Sequence, residues 1–141
     1  MELFLQGQTP VGSYWKHVLP FWKHSTDSNI LFLKYEDMKK DLPAVIRKCA
    51  NFMKLNYDIN DEDMKRICDH LNFEKMQANP AVNLEPILNQ IDSNGNCEKI
   101  KFIRKGQIGD WKNYISDGMS KRFDQWIIEN SKGSGLVFEY E

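Results

Sequence analysis

The sequence lacks the features that mark several large classes of protein. Its three cysteines, Cys49, Cys68 and Cys97, are odd in number, widely spaced and without a CxxC pair. They predict reduced thiols rather than a disulfide framework. No apolar run approaches the about 20 residues that span a bilayer. The N-terminal apolar stretch is too short and too acidic to act as a signal peptide. These absences predict a cytoplasmic protein without a membrane anchor.

Neither charge nor motif points to nucleic acid, to a metal or to a common hydrolase. The net charge is -1, which excludes the strongly basic surface that bulk nucleic-acid binding needs. The chain has no HExxH motif, no nucleophile elbow and no Cys/His set with metal-ligand spacing. An acidic cluster at residues 58–63 lacks the glycine and the closing glutamate of a calcium loop, and it suits the first turn of a helix instead. We therefore expect no metal and no nucleic-acid partner.

A glycine-rich run at residues 131–135 imitates a phosphate loop. It contains Ser131, Lys132 and Gly133, but it follows a helical pattern and has no strand before it or helix after it. A phosphate loop has the reverse order, so this run predicts a tail that terminates a helix.

What remains is about one domain of 141 residues, mostly helical in pattern. Apolar residues recur at helical spacing in residues 12–24, where Ser13 is a plausible N-cap and Pro20 lowers the expected continuity. Further helices are predicted after the N-cap patterns at Asp41 and Asn60, and around residues 119–127. Residues 77–98, rich in Asn and Pro, predict one long loop.

One near-continuous apolar run, residues 30–33, predicts a short strand buried on both faces. With the helices around it, this strand indicates an α/β fold with one clear strand. Tyr35 follows it, at the carboxyl end where open α/β sheets collect their function. Its ring could stack on a base, and simple space-filling at the strand end is an equally good interpretation.

The most informative stretch is the basic segment (residues 102–106), which runs Phe102-Ile103-Arg104-Lys105-Gly106. Arg104 can hold a phosphate with two parallel hydrogen bonds, and Lys105 adds a point charge. Gly106 lets the backbone approach an anion. Gly109-Asp110 then predicts a closing turn, with Trp111 as an apolar anchor behind it. On chemistry alone the segment fits either a phosphate clamp or a solvated basic turn.

Four blocks of sequence, in order and at plausible spacing, resemble the C-terminal half of a cytosolic sulfotransferase. The resemblance covers nearly the whole chain. It implies that residues 1–141 are the C-terminal part of a single sulfotransferase domain, without the N-terminal half that contains the phosphosulfate loop. The blocks are Gly12-Ser13 with His17-Val18, Leu33 with Tyr35-Glu36-Asp37-Met38-Lys39, Phe73 with Met76 and Asn79-Pro80, and Arg104-Lys105-Gly106 with Gly109-Asp110-Trp111-Lys112. The last block is the most specific to that family.

The resemblance implies a fold related to the P-loop kinases. It also implies transfer of a sulfuryl group from 3′-phosphoadenosine 5′-phosphosulfate (PAPS) to a phenol, alcohol or amine. By the same resemblance, Arg104, Lys105 and Gly106 hold the 3′-phosphate of the nucleotide, with Phe102 and Ile103 leading into them. Tyr35 lies near the adenine. The implied segment packed against the adenosine consists of Leu71, Asn72, Phe73, Glu74, Lys75 and Met76.

Two departures from the family pattern limit what the resemblance implies. Nothing in the chain matches the family's lysine-bearing phosphosulfate loop or its catalytic histidine, so no catalytic residue is assigned here. The self-association motif is also degraded, since Asp117 replaces an apolar contact and Lys121 reverses a charge, which puts the usual homodimer in question.

Three hypotheses about the function of the chain remain, and the first two have more support than the third. The chain is either part of a PAPS-dependent sulfotransferase whose other half supplies the chemistry, or a catalytically inactive nucleotide-binding or interaction remnant of that fold. The third is a kinase-like phosphate binder of another family.

Overall fold

The structure is a computed structural model that describes residues 1–91 and 101–139. Within those residues the regular secondary structure is helical. The helices are α1 (Glu2–Leu5), α2 (Tyr14–Lys23), α3 (Tyr35–Lys40), α4 (Leu42–Phe52), α5 (Asp61–His70), α6 (Phe73–Ala78), α7 (Glu85–Ile91), a 3₁₀ helix (Asp110–Asn113) and α8 (Asp117–Ser131). The chain forms two compact units, one of residues 1–40 with 108–141 and one of residues 41–107.

Aromatic side chains make the core of the first unit. Trp15 on α2 is only 5% exposed, and its ring centroid lies 5.1 Å from that of Trp126 on α8. Phe4 of α1 packs on Trp126 at 5.5 Å. The predicted start of α2 after Ser13 is confirmed, and the helix runs on through Pro20. Large rings bury much apolar area per residue, so a few of them can tie three helices together.

The C-terminal tail packs on the N-terminal part of the same unit. The Trp22 indole Nε1 donates to the carbonyl of Ser134 at 2.8 Å, and Lys34 Nζ donates to the carbonyl of Val137 at 2.9 Å. Leu136 is 7% exposed. The glycine-rich run thus follows α8, as the sequence predicted, and Gly133 takes the positive φ of +76° that is common just past a helix end.

The predicted strand at residues 30–33 is not confirmed. These residues have no regular secondary structure and are half-buried rather than buried on both faces. A strand exists only through backbone pairing with a neighbour, and none of the described segments pairs with this one. Tyr35 accordingly begins α3 instead of ending a strand. The sheet of the expected α/β fold is therefore not observed in the described part of the chain.

Local capping signals specify the second unit. Asp41 Oδ1 accepts the N–H of Ala44 at 3.0 Å before α4, and Asn60 Oδ1 accepts the N–H of Asp63 at 2.9 Å before α5. Both predicted caps are confirmed. Val45 of α4 and Met64 of α5 are buried, and these two helices contact each other.

The long loop predicted at residues 77–98 is wrong in its first part. Residues 77 and 78 complete α6, and α7 occupies Glu85–Ile91. Asn83 Oδ1 accepts the N–H of Glu85 at 3.1 Å, and Pro86 is the second residue of the helix, where its missing N–H costs nothing. Asn and Pro thus start a helix here rather than marking a loop. Residues 92–98 and Cys97 lie outside the described residues.

Candidate functional site

The basic segment belongs to the second unit and has no regular secondary structure beyond a bend at Phe102 and Ile103. Arg104 and Lys105 are exposed on it. Gly106 has a φ of +62°, in the left-handed region that side chains other than glycine rarely adopt. Two cations therefore stand at the surface, directly before a turn that requires glycine.

The ring of Phe73 supplies a second reason for glycine at position 106. A Cβ atom on Gly106 would lie 2.5 Å from Cδ2 of Phe73, closer than Cβ atoms approach other heavy atoms in proteins, and 3.0 Å from its Cε2. Phe73 is the first residue of α6. The structure therefore brings together two predicted site residues, and the aromatic ring itself excludes a side chain at the turn.

Gln77 is a contact residue that the sequence reasoning missed. Its Nε2 donates to the carbonyl of Ile103 at 2.7 Å in a partly buried environment. Phe73 and Gln77 are one helical turn apart, so both lie on the same face of α6. That spacing was the available signal, because Gln77 shares the face that Phe73 presents to the basic segment.

The rest of the predicted adenosine segment divides into structural and exposed positions. Asn72 caps α6, since its Oδ1 accepts the N–H of Lys75 at 2.8 Å, and Glu74 and Met76 are exposed. Lys75 Nζ pairs with the carboxylate of Asp69. Leu71 and Lys75 line an open cavity of about 610 Å³ beside α5. Of this segment, Phe73 has a described contact with the basic segment.

The same open cavity contains a short hydrogen bond between Tyr57 and Asp63. The carboxylate accepts from the phenol and holds its proton, so the pKa of Tyr57 is raised above its ordinary value of 10.0. Asn60 Nδ2 donates to the same carboxylate at 2.9 Å. These hydrogen bonds stabilise the start of α5, and we assign them a structural role.

Tyr35 lies in the first unit, at the start of α3, and is 44% exposed. It lines a cavity of about 230 Å³ together with Tyr14, Glu36 and the tail around Leu136. The pKa of Tyr14 is raised, first by burial and second by the Glu36 carboxylate. Tyr35 has the exposed ring that stacking on a base would need, and its predicted role there stays a prediction.

The turn after the basic segment also lies in the first unit. Gly109 has a φ of +76°, and the N–H of Lys112 donates to its carbonyl at 3.1 Å, which confirms the predicted turn. Asp110 is 7% exposed and accepts a hydrogen bond from Asn113 Nδ2 at 2.9 Å. Trp111 retains 36% exposure. The buried anchor of this turn is therefore Asp110, and Trp111 is a partly exposed surface residue.

The degraded self-association motif has a local structural role. Ser116 caps α8 by accepting the N–H of Met119 at 3.4 Å, and Asp117 is the first residue of that helix. A carboxylate at this position is stabilised by the helix dipole. The two residues therefore start α8, and the sequence-based doubt about the usual homodimer stays a prediction.

Among residues 1–91 and 101–139, no group of His, Cys, Asp and Glu side chains could hold a metal ion. None of the helices in that part of the chain is long and apolar enough to cross a bilayer.

Comparison with protein families gives a match over most of the chain. A family profile described as "Sulfotransferase domain" matches residues 1–135. Among curated proteins, the luciferin sulfotransferase of Photinus pyralis is 38% identical over 98% of this chain and 37% of its own length. The amine sulfotransferase of Oryctolagus cuniculus is 40% identical over 100% of this chain and 46% of its own length. The chain thus spans less than half the length of these relatives.

Solved structures show the same likeness in three dimensions. Retinol dehydratase in a complex with retinol and PAP superposes with a TM-score of 0.83 at 38% identity, over 98% of this chain and 39% of that one. A mouse sulfotransferase complexed with PAP superposes with a TM-score of 0.74 at 32% identity, over 94% of this chain and 46% of that one. PAP is 3′-phosphoadenosine 5′-phosphate, the nucleotide left when PAPS gives up its sulfuryl group.

Proposed function

Because this chain belongs to the sulfotransferase domain family, we propose that its basic segment and α6 bind the adenosine and the 3′-phosphate of PAPS. The observation that carries the proposal is the contact between Phe73 and Gly106. It places an aromatic ring beside a turn on which Arg104 and Lys105 are exposed. A purine needs an apolar surface and a phosphate needs cations, so this pairing fits a nucleotide that has a 3′-phosphate.

The residues present fit this ligand better than they fit a plain adenine nucleotide. A guanidinium can bind two phosphate oxygens in parallel, and an ammonium adds charge without fixed direction. Gly106 has no Cβ, which would let the backbone of the turn come close to an anion. The alternative interpretation, a solvated basic turn, does not explain why two cations directly precede a glycine with a positive φ.

The protein of which these residues are part would transfer a sulfuryl group to a hydroxyl or amine acceptor. In that step the bond between sulfur and the bridging oxygen of PAPS breaks, a new bond forms from sulfur to the acceptor, and PAP leaves. The acceptor gives up a proton to a base. Names of the relatives include luciferin, amine and retinol, which agrees with a small-molecule acceptor. The role of this chain is to hold the nucleotide while that transfer occurs.

A second candidate function is nucleotide binding without catalysis, because no histidine of this sequence lies in the context of the family's catalytic histidine. The ring Nδ1 of His24 pairs with the carboxylate of Asp27 at 2.8 Å, and His17 and His70 are exposed. With no phosphosulfate-binding lysine loop in the sequence, binding and transfer separate as two testable properties.

Calorimetric titration with PAP and with adenosine 5′-phosphate tests the proposal directly. The two ligands differ by the 3′-phosphate, so the ratio of their affinities measures what the basic segment recognises. Charge-assisted hydrogen bonds of about 1.5–3 kcal/mol predict that PAP binds about 10- to 150-fold more tightly. Equal affinity for the two nucleotides would refute this assignment of the basic segment.

A further inference from the structure

Gln77 holds the backbone of the basic segment at the peptide just before Arg104. Its Nε2 donates to the carbonyl oxygen of Ile103 at 2.7 Å, and the bond is partly buried. The carbonyl of Ile103 and the N–H of Arg104 belong to one planar peptide unit. Fixing that oxygen therefore fixes the plane from which the Arg104 side chain departs.

The helix α6 contacts the basic segment on both sides of the two cations. Gln77 binds at Ile103, before Arg104, and Phe73 lies against Gly106, after Lys105. Both side chains come from one face of one short helix, because they are four residues apart. A loop held at two points has fewer conformations to lose when it binds a ligand.

Gln77 is itself held in place by a neighbouring amide. Asn83 Nδ2 donates to the backbone carbonyl of Gln77 at 2.7 Å, also in a partly buried setting. That carbonyl lies in the last turn of α6, where no intrahelical donor remains for it. The position from which the Gln77 side chain reaches Ile103 is thus fixed independently of the basic segment.

We propose that Gln77 is a positioning residue for the 3′-phosphate contact, acting through the peptide between Ile103 and Arg104. The inference rests on the proposed function, since it assumes that Arg104 binds that phosphate. The amide of Gln77 binds the protein backbone at Ile103 and not the nucleotide. Its part is to keep the guanidinium aimed before the ligand arrives.

The test replaces Gln77 by Met, which keeps the length and volume of the side chain but removes the donor. We expect the preference for PAP over adenosine 5′-phosphate to fall by about 3- to 10-fold, the usual range for one net hydrogen bond. Gln77→Lys keeps an N–H donor on a chain of similar reach and should retain most of the preference. The matched control is Gln125→Met, because Gln125 is an exposed glutamine that bonds only to Glu129 at 2.7 Å among its described contacts.

A second measurement needs no ligand. Hydrogen exchange at the amides of Arg104 and Lys105 should speed up in Gln77→Met and stay unchanged in Gln125→Met. Equal weakening of both nucleotides would mean that Gln77 supports the fold without aiming Arg104, and it would overturn the proposal. So would unchanged affinity ratios together with unchanged exchange. A wild-type chain that does not prefer PAP refutes the proposed function instead, and exchange then decides alone whether Gln77 orders the segment.

Discussion

Single residues in the second unit have contacts that their chemical type alone does not reveal. Gly106 was expected to leave room for an anion, and the structure adds a positive φ and an aromatic neighbour. Gln77 was passed over because it begins the stretch, residues 77–98, that the sequence predicted to be a loop. Sequence patterns report what a side chain can do, whereas the partner it meets depends on segments far away in the chain.

Gly106→Ala should destabilise the chain more than its small size suggests. The left-handed backbone costs about 1–2 kcal/mol for a residue with a Cβ, and overpacking against Phe73 adds about 1–3 kcal/mol. Gly133→Ala is the matched control, since Gly133 has a φ of +76° but nothing within 4 Å of its would-be Cβ. Chemical denaturation of both variants separates the two costs. Equal losses of unfolding free energy in the two variants would mean that the Phe73 ring moves aside at no cost.

Arg104→Ala should weaken the binding of PAP by about 1.5–3 kcal/mol and leave the binding of adenosine 5′-phosphate nearly unchanged. Arg104→Lys should also weaken PAP, because an ammonium cannot reproduce the planar fork of the guanidinium. Lys101→Ala removes an exposed charge of the same sign three residues earlier and serves as the control. If Arg104→Ala weakens both nucleotides equally in calorimetry, Arg104 does not recognise the 3′-phosphate.

At the scale of the element, the sequence predicted helix starts that depend on neighbouring residues, but it did not predict strand pairing, which depends on residues far away in the chain. The caps at Asp41 and Asn60 were predictable because each involves an N–H three residues away. The strand at residues 30–33 was not, because pairing needs a partner that an apolar run cannot specify. Helix α7 was missed because Asn83 and Pro86 signal a helix start as readily as a loop.

A bidentate ion pair links helix α1 to α8, and it predicts that the stability of this contact depends on pH. The guanidinium of Arg122 binds both carboxylate oxygens of Glu2, with Nη2 at 2.8 Å from Oε2. This hydrogen bonding lowers the pKa of Glu2 below its ordinary value of 4.5. A lowered pKa in the folded state means that the pair stabilises above pH 4.5 and loses this effect as the pH falls through the lower, folded value.

In Arg122→Gln the pKa of Glu2 should return toward 4.5, which an NMR titration of its side-chain carboxyl measures. Lys121→Gln, at the neighbouring exposed cation, should leave that pKa where it is. Because both partners of the pair are exposed, the change in overall stability should be small and should shrink further in high salt. A Glu2 pKa that is the same with and without Arg122 would contradict the pairing.

At the scale of the whole molecule, four ordered motifs predicted the family, and the profile match over residues 1–135 confirms it. No single periodicity could have done so, because helices of this length occur in many folds. The roles of Tyr35 and the adenosine segment came from the resemblance and stay predictions; within that segment, Phe73 has a described contact with the basic segment. Tyr35 belongs to one compact unit and the basic segment to the other, so local patterns could not relate them.

We expect this 141-residue chain to bind PAP but to transfer no sulfuryl group from PAPS to phenols or alcohols. Sulfuryl transfer needs a base and cations at the breaking bond, and no segment of this sequence matches the loop or the histidine that supply them in the family. A radiolabelled transfer assay, with an active sulfotransferase as positive control, measures this. Turnover by the chain alone would overturn the expectation and direct attention to His17 and His70.

The aromatic core of the first unit determines what fluorescence can report. All four tryptophans of the chain, Trp15, Trp22, Trp111 and Trp126, belong to that unit, whereas residues 41–107 contain none. Intrinsic tryptophan emission during unfolding therefore follows the first unit and is blind to direct changes around Phe73 and Gly106. A tryptophan introduced at Tyr57, which is 61% exposed, would give the second unit an optical signal of its own. Comparing the two emission curves would then tell whether both units melt together.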